Sequence, residues 1–293
     1  MTMLHRRQFL ASAAASLVTS RAASKKSIPV GVLLFAVQKQ LDSDFEGTIR
    51  AVAQMGYDGV EFTHYIDWTP ARAKEIRKTL DSVHLRCYST HNEPQVFVDR
   101  LDHAIEINHI LGSESVSCVR GLATKPGGAG FQASGLDGWK RLRDLLQKAG
   151  ERLGTERQRC AFHNHAVEFQ AVEGQRPIDI LATAPDLVFQ TDIWTCSRHA
   201  DPVAFLEQYP GRSDCILATD GSSSAGVPTL LGYGNMPWPR IFAAAENKGG
   251  IRFYLIAQEG GTDLPPLEAI RKDLAQFQKL RSMPLPSIEG SQS

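Results

Sequence analysis

The run RQRCAFHNHAVEF sets His163, Asn164 and His165 directly behind a short apolar segment, with Glu168 three residues further on. Imidazole, amide and carboxylate groups in such a cluster can hold a divalent cation, move a proton or hydrogen-bond a polyol. Similar residues close other apolar runs: Glu61 in GVEF, His91 and Asn92 in YSTHN, Asp192 in VFQTD, Asp220 in ILATD, and Gln258 with Glu259 in LIAQE. Each alone has a plain explanation, since a strand-end carboxylate can cap the next helix and a histidine can be satisfied by a neighbour. Six polar strand ends converging on one rim are what a chemical site requires.

Those runs belong to a regular alternation. From Ile28 onward, short β-type segments (IPVGVLLFAV, YDGVEFT, HLRCYSTH, SESVSCV, RQRCAFHNH, DLVFQTD, SDCILATD, IRFYLIAQEGG) alternate with amphipathic helical stretches. The helix from residue 45 has Ser43 or Asp44 as its cap and Gly56 as its stop; the next is opened by Thr69 with Pro70 in its first position. QVFVDRLDHAIEINHILG reads as one long helix. Eight strand–helix units in about 250 residues predict a single-domain α/β fold, a (β/α)8 TIM barrel over residues 28–283, with 284–293 as a flexible tail. Chemistry in such barrels sits at the C-terminal strand ends, where the polar residues fall. No Gly-x-Gly-x-x-Gly turn follows the first strand, which argues against a dinucleotide-binding open sheet.

The N-terminus reads differently. Arg6-Arg7, an apolar stretch from Phe9 to Val18 and the small residues Ser20 and Ala22 form the pattern of a twin-arginine signal peptide over residues 1–22. A periplasmic or secreted protein is expected, with no membrane attachment after removal of the signal. Lys+Arg and Asp+Glu number 32 each, and no basic stripe stands out, which disfavours nucleic acid as a partner. The five cysteines lack Cys-x-x-Cys spacing, and Cys118, Cys160 and Cys215 lie in apolar runs as small hydrophobes.

The segments MGYDGVEF, STHNEP, FHNHAVEF, TDIWTCSRHADPVAFLEQYPGR and GYGNMPWPRIFAAAENKG, in that order, resemble the sugar phosphate isomerase/epimerase family of xylose isomerase-like barrels. The resemblance implies a carbohydrate substrate, proton transfer beside a carbonyl, and one divalent metal (Mn, Zn, Co or Mg) held by residues of the later strands. It assigns His163 and Asp192 as metal ligands. It also puts Leu217 where relatives carry a histidine and Ala257 where they carry a glutamate. Because residues two apart on a strand share a face, His163, His165, Asp192 and Glu259 offer an alternative, shifted ligand set. The expected catalytic residues are Glu259, Glu61 and His165; the expected substrate contacts are His91, Asn164, Trp194, His199 and Asp220. Glu168 is expected to orient one of the imidazoles. The reading is a sugar isomerase/epimerase-like enzyme, metal-assisted, that moves a proton next to a carbonyl of a sugar or sugar derivative, with a homo-oligomer as an open expectation. Two alternatives stand beside it: a lyase or hydrolase of keto-glycosides on the same barrel, and a sugar-binding barrel whose metal site has eroded.

Overall fold

The computed structural model describes residues 28–63, 65–119, 135–222 and 226–284. Its strands are β1 (Val30–Leu33), β2 (Gly59–Phe62), β3 (Arg86–Asn92), β4 (Ser115–Val119), β5 (Arg159–His163), β6 (Leu187–Asp192), β7 (Ser213–Ala218), β8 (Asp220–Ser222), β9 (Val227–Thr229) and β10 (Phe253–Ile256). Strands β1 to β7 and β10 pair in parallel and close into one barrel, while β8 and β9 form a small antiparallel hairpin on the loop between β7 and β10. The (β/α)8 TIM barrel expected from the alternation is therefore the fold. The signal segment 1–22, the tail beyond residue 284 and the glycine-rich loop at 127–130 lie outside the described residues.

Local sequence explains the element ends. The Asp44 carboxylate accepts from Gly47 N at 2.9 Å to start helix Phe45–Met55, and Gly56 ends it at φ 97°, a conformation that costs glycine little. Thr69 Oγ1 accepts from Arg72 N at 3.2 Å, with Pro70 opening helix Pro70–Ser82. Several sequence-based boundaries shift, among them that of β5, which ends at His163 and leaves Asn164 and His165 in the loop. The long helix expected after β3 is two helices, Pro94–Asp99 and Leu101–Leu111, broken at Arg100, which has φ −129°. Strand β7 stops at Ala218, so Asp220 belongs to the hairpin. Strand β10 stops at Ile256, so Ala257, Gln258 and Glu259 lie in the following turn.

Alternation along the strands sorts the core. Ile216, Ala218, Tyr254 and Ile256 face outward and pack with helices, whereas Cys215, Leu217, Phe253, Leu255 and Leu33 join Ala257 in a separate cluster inside the barrel. Tyr88 stacks on Phe253 in that interior, at 4.8 Å between ring centroids. Its ring needs Gly59 beside it, because a Cβ there would lie 2.5 Å from the Tyr88 ring. At the N-terminal ends of the strands, buried Asp214 accepts from Ser115 Oγ (2.6 Å), Arg252 Nε (2.7 Å) and Arg159 Nη1 (3.3 Å), which closes that end of the barrel. Ligand access is left to the opposite rim.

Candidate active site

The interior is divided by polarity. Against the apolar wall from β1, β7 and β10 stands a polar wall built on β2, β3, β5 and β6. Glu61 of β2 and Gln190 of β6 lie on opposite sides of the barrel, yet Gln190 Nε2 donates to Glu61 Oε2 at 2.7 Å and to Ser89 Oγ at 2.8 Å. Those bonds cross the interior. Glu61 is fully buried, and His91 Nε2 lies 2.8 Å from its other oxygen, Oε1. The His91 contact is off the hydrogen-bonding direction, so it is a close electrostatic pairing rather than an aligned bond. Taking a carboxylate this far from water is costly unless donors and a cation face it. Gln190 Nε2 faces one carboxylate oxygen as a donor, and the His91 imidazole faces the other.

The histidines continue the row. Ring centroids of His91 and His163 are 4.8 Å apart, and those of His163 and His165 are 4.9 Å apart, each pair meeting edge to face. Glu168 is fully buried in the turn after β5 and accepts from the backbone N of His165 at 2.7 Å, so it fixes the chain that carries the imidazole. Asn164 is also buried and turned toward its neighbours. Its Oδ1 accepts from Asp192 N (3.0 Å), and its Nδ2 donates to Asp192 O (3.3 Å) and Thr195 Oγ1 (3.2 Å). It ties the end of β5 to the end of β6, a different job from the substrate contact expected of it.

Asp192 sits at the head of helix Ile193–Ser197. Its Oδ1 accepts from Thr195 N and from Thr219 Oγ1, both at 2.8 Å, while Oδ2 is buried without a partner. Burial raises its pKa from 3.8 to about 7, the negative charge of Glu259 adds to the rise, and the donors from Thr195 and Thr219 oppose it. Glu259 itself is exposed on the turn after β10. A carboxyl poised near neutral pH, with one oxygen uncommitted, can give or take a proton.

The remaining expected residues lie further from this centre. Asp220 is occupied: Oδ1 accepts from Gly221 N (2.8 Å), and Oδ2 accepts from Gly232 N (2.8 Å) and Trp238 Nε1 (2.9 Å), which buckles the hairpin to the helix behind it. The geometry gives it a structural role in place of the substrate contact expected from sequence. Trp194 is buried beneath Arg198, whose guanidinium lies 5.5 Å from the indole centroid, and its backbone N donates to Thr219 Oγ1. His199 is exposed, with Nε2 2.9 Å from Gln170 Nε2.

The four-ligand metal set does not fit this chain. Leu217 and Ala257 occupy two of the four places and are sealed into the apolar cluster. In the shifted set, Glu259 lies beyond the end of β10, on the following turn, from which its charge still reaches Asp192. Among the described residues, no group of three or more His, Cys, Asp or Glu side chains is arranged to hold a metal ion. Two further features were missed by sequence reasoning. Gln190 was hidden because one glutamine inside an apolar strand gives no signal. A cavity of about 250 Å³ beside His91, reached by Phe35, Tyr65, Ile66, Val96 and Val119, draws on four separate strand–loop junctions and has no motif.

Comparison with known proteins follows the same lines. The family model for the xylose isomerase-like TIM barrel matches residues 49–280. No curated protein sequence matches the chain. Among solved structures, a sugar phosphate isomerase/epimerase from Parabacteroides distasonis superposes with a TM-score of 0.73 at 20% identity, covering 89% of this chain and 97% of its own. A D-allulose 3-epimerase from Methylomonas sp. gives 0.60 at 13% identity, covering 86% and 98%. The IOLI protein, solved with a bound zinc atom, gives 0.66 at 13% identity, covering 87% and 98%. At these identities the likeness establishes the fold.

Proposed function

The chain belongs to the xylose isomerase-like TIM barrel family, and from that premise we propose that it moves a proton beside a carbonyl of a sugar or sugar derivative, using side chains alone. The observation that carries the proposal is the buried Glu61–His91 pair, bonded to Gln190 of β6, with Asp192 two residues further along that strand holding one buried oxygen without a partner. The solved sugar phosphate isomerase/epimerase and D-allulose 3-epimerase on the same fold support a carbohydrate substrate. The twin-arginine-like N-terminus supports an extracytoplasmic setting.

In this reading His91, backed by the buried Glu61 carboxylate, takes the proton from the carbon next to the carbonyl. Protonated Asp192 gives its proton to the carbonyl oxygen, forming an enediol. Delivery of that proton by His91 to the former carbonyl carbon, with Asp192 taking the proton of the other enediol hydroxyl, gives the isomer; an epimer requires the original carbon to be reprotonated on its opposite face by a second donor. Protons are conserved in either case, and the two groups exchange protonation states. Gln190 holds Glu61 in place by its bond to Oε2, leaving Oε1 toward His91. Leu217 and Ala257 support a route in which no Lewis acid from the four-ligand site is needed.

The same two residues favour one second reading, a barrel that binds sugars without turning them over. A single experiment separates the two. A panel of aldoses, ketoses and keto-glycosides is incubated with the mature protein in D2O, and carbon-bound deuterium is followed by NMR. Exchange that is lost in Asp192→Asn and His91→Gln supports the proposal. Saturable binding of panel sugars with no exchange in the wild-type protein would overturn it and leave the binding reading.

A further inference from the structure

We propose that the cavity beside His91 is a subsite for an apolar, aromatic-sized group attached to the sugar, so that the ligand is a keto-glycoside, its carbonyl on the sugar ring, with a hydrophobic aglycone. The inference rests on the reading above only for where the sugar sits.

The walls argue for this by what they leave available. Tyr65 and Asn92 both line the cavity, but the Tyr65 hydroxyl donates to Asn92 Oδ1. The Asn92 amide donates in turn to Thr90 O at 2.9 Å and Ser117 O at 3.2 Å. Thr63 Oγ1 donates to Gln38 Oε1 at 3.1 Å. These polar groups already have protein partners. Among the described residues, the rest of the wall is Phe35, the buried Tyr65 ring and the aliphatic side chains of Ile66, Val96 and Val119, with His91 and the exposed Glu93 as the polar groups at its edge. A sugar ring placed here would bring several hydroxyls to a wall with few free partners, and unmet polar groups are costly. An apolar ring asks only to be removed from water.

Size agrees. The cavity volume of about 250 Å³ exceeds the roughly 150 Å³ apolar cavity that takes up benzene. Phe35, on the short helical turn after β1, is 55% exposed although it is aromatic. An exposed aromatic at the mouth of an apolar cavity is a surface that a ligand can cover. His91 marks the shared boundary, since it lines this cavity and also meets Glu61 in the barrel interior. The aglycone and the reacting sugar would therefore lie on either side of one imidazole.

The test uses methyl-labelled protein titrated with benzyl alcohol as a bare apolar probe, together with calorimetry on p-nitrophenyl β-glucoside and methyl β-glucoside. The expected result is that benzyl alcohol shifts the methyl signals of Ile66, Val96 and Val119, and that the aryl glycoside binds at least about tenfold more tightly than the methyl glycoside, as burial of a ring predicts. Phe35→Asp, at a half-exposed position that leaves the core untouched, should remove most of that preference. Equal affinity for the two glycosides, no binding of either, or an aryl preference that survives Phe35→Asp with the three methyl signals unmoved would overturn the subsite. Deuterium exchange into unsubstituted sugars is read separately, so the reaction can stand where the subsite fails, and the reverse.

Discussion

Asp192→Asn offers the sharpest test of the site's electrostatics. The native pKa of about 7 lies above the 3.8 of an ordinary aspartate, so between those two values the folded protein holds a proton that the unfolded chain has released. Stability must then fall as pH rises across that window, with the stabilising proton fully present below about pH 4 and gone above about pH 7. The gap between 3.8 and about 7, at about 1.4 kcal/mol per pH unit, is worth about 4 kcal/mol. Asparagine keeps an oxygen to accept from Thr195 N and Thr219 Oγ1, but does not titrate. Its amide nitrogen replaces an oxygen that had no partner, which adds a pH-independent cost of roughly 1–3 kcal/mol. The slope is therefore the readout, not the absolute stability. Urea unfolding of wild type and Asp192→Asn is followed at half-unit steps from pH 4 to 8. The variant's stability relative to wild type should climb by about 4 kcal/mol over that range and flatten above about pH 7. Subtracting the two curves removes Asp273, whose pKa is raised to about 6, mainly by burial, and which contributes a slope of the same sign. A difference curve that is flat, or that slopes the other way, would refute the argument that burial and Glu259 hold this carboxyl protonated near neutrality.

Three further outcomes follow from named contacts. His91→Leu strips the buried Glu61 carboxylate of its facing imidazole and should cost about 3–5 kcal/mol in a chemical melt, while His91→Gln, which restores a donor, should recover part of the loss. Gly59→Ala drives a methyl to 2.5 Å from the Tyr88 ring and 2.7 Å from Arg86 O, and should cost about 1–3 kcal/mol or more; a neutral effect would mean that the Tyr88–Phe253 stack is not fixed. The paired change Leu217→His with Ala257→Glu supplies the two absent donors beside His163 and Asp192. Elemental analysis should find near-stoichiometric divalent metal in that variant and little in wild type, whereas equal metal in both would show that the chain binds its ion elsewhere.

Much of the site was open to inspection in one dimension because strand geometry is periodic. Glu61, His91, His163 and Asp192 stand at the ends of apolar runs, and a parallel barrel brings such ends to one rim whatever the intervening loops do. The missing ligands were equally plain, since Leu217 and Ala257 interrupt recognisable segments. What could not be read was the exact end of each strand. One residue more or less decides which way a side chain faces, so Asp220 and Glu259 left the strands to which the sequence pattern assigned them.

Partner choice was also beyond reach. Asn164 and Asp220 look like ligand-binding groups by type, yet each is consumed by backbone amides or carbonyls that come close only in three dimensions. Along the chain Gln190 is an ordinary polar interruption of β6, and it becomes the group that crosses the barrel to Glu61 only because four strand-to-strand steps close the sheet on itself. The cavity beside His91 is assembled from residues as far apart as Phe35 and Val119, so no local pattern announces it. The sequence by itself determined the alternation, the helix caps and the kinds of chemical group available at the rim, all of which depend on neighbours along the chain. Barrel closure decided which of those groups keep free atoms, because hydrogen-bond satisfaction and desolvation depend on distances between residues that the chain holds far apart.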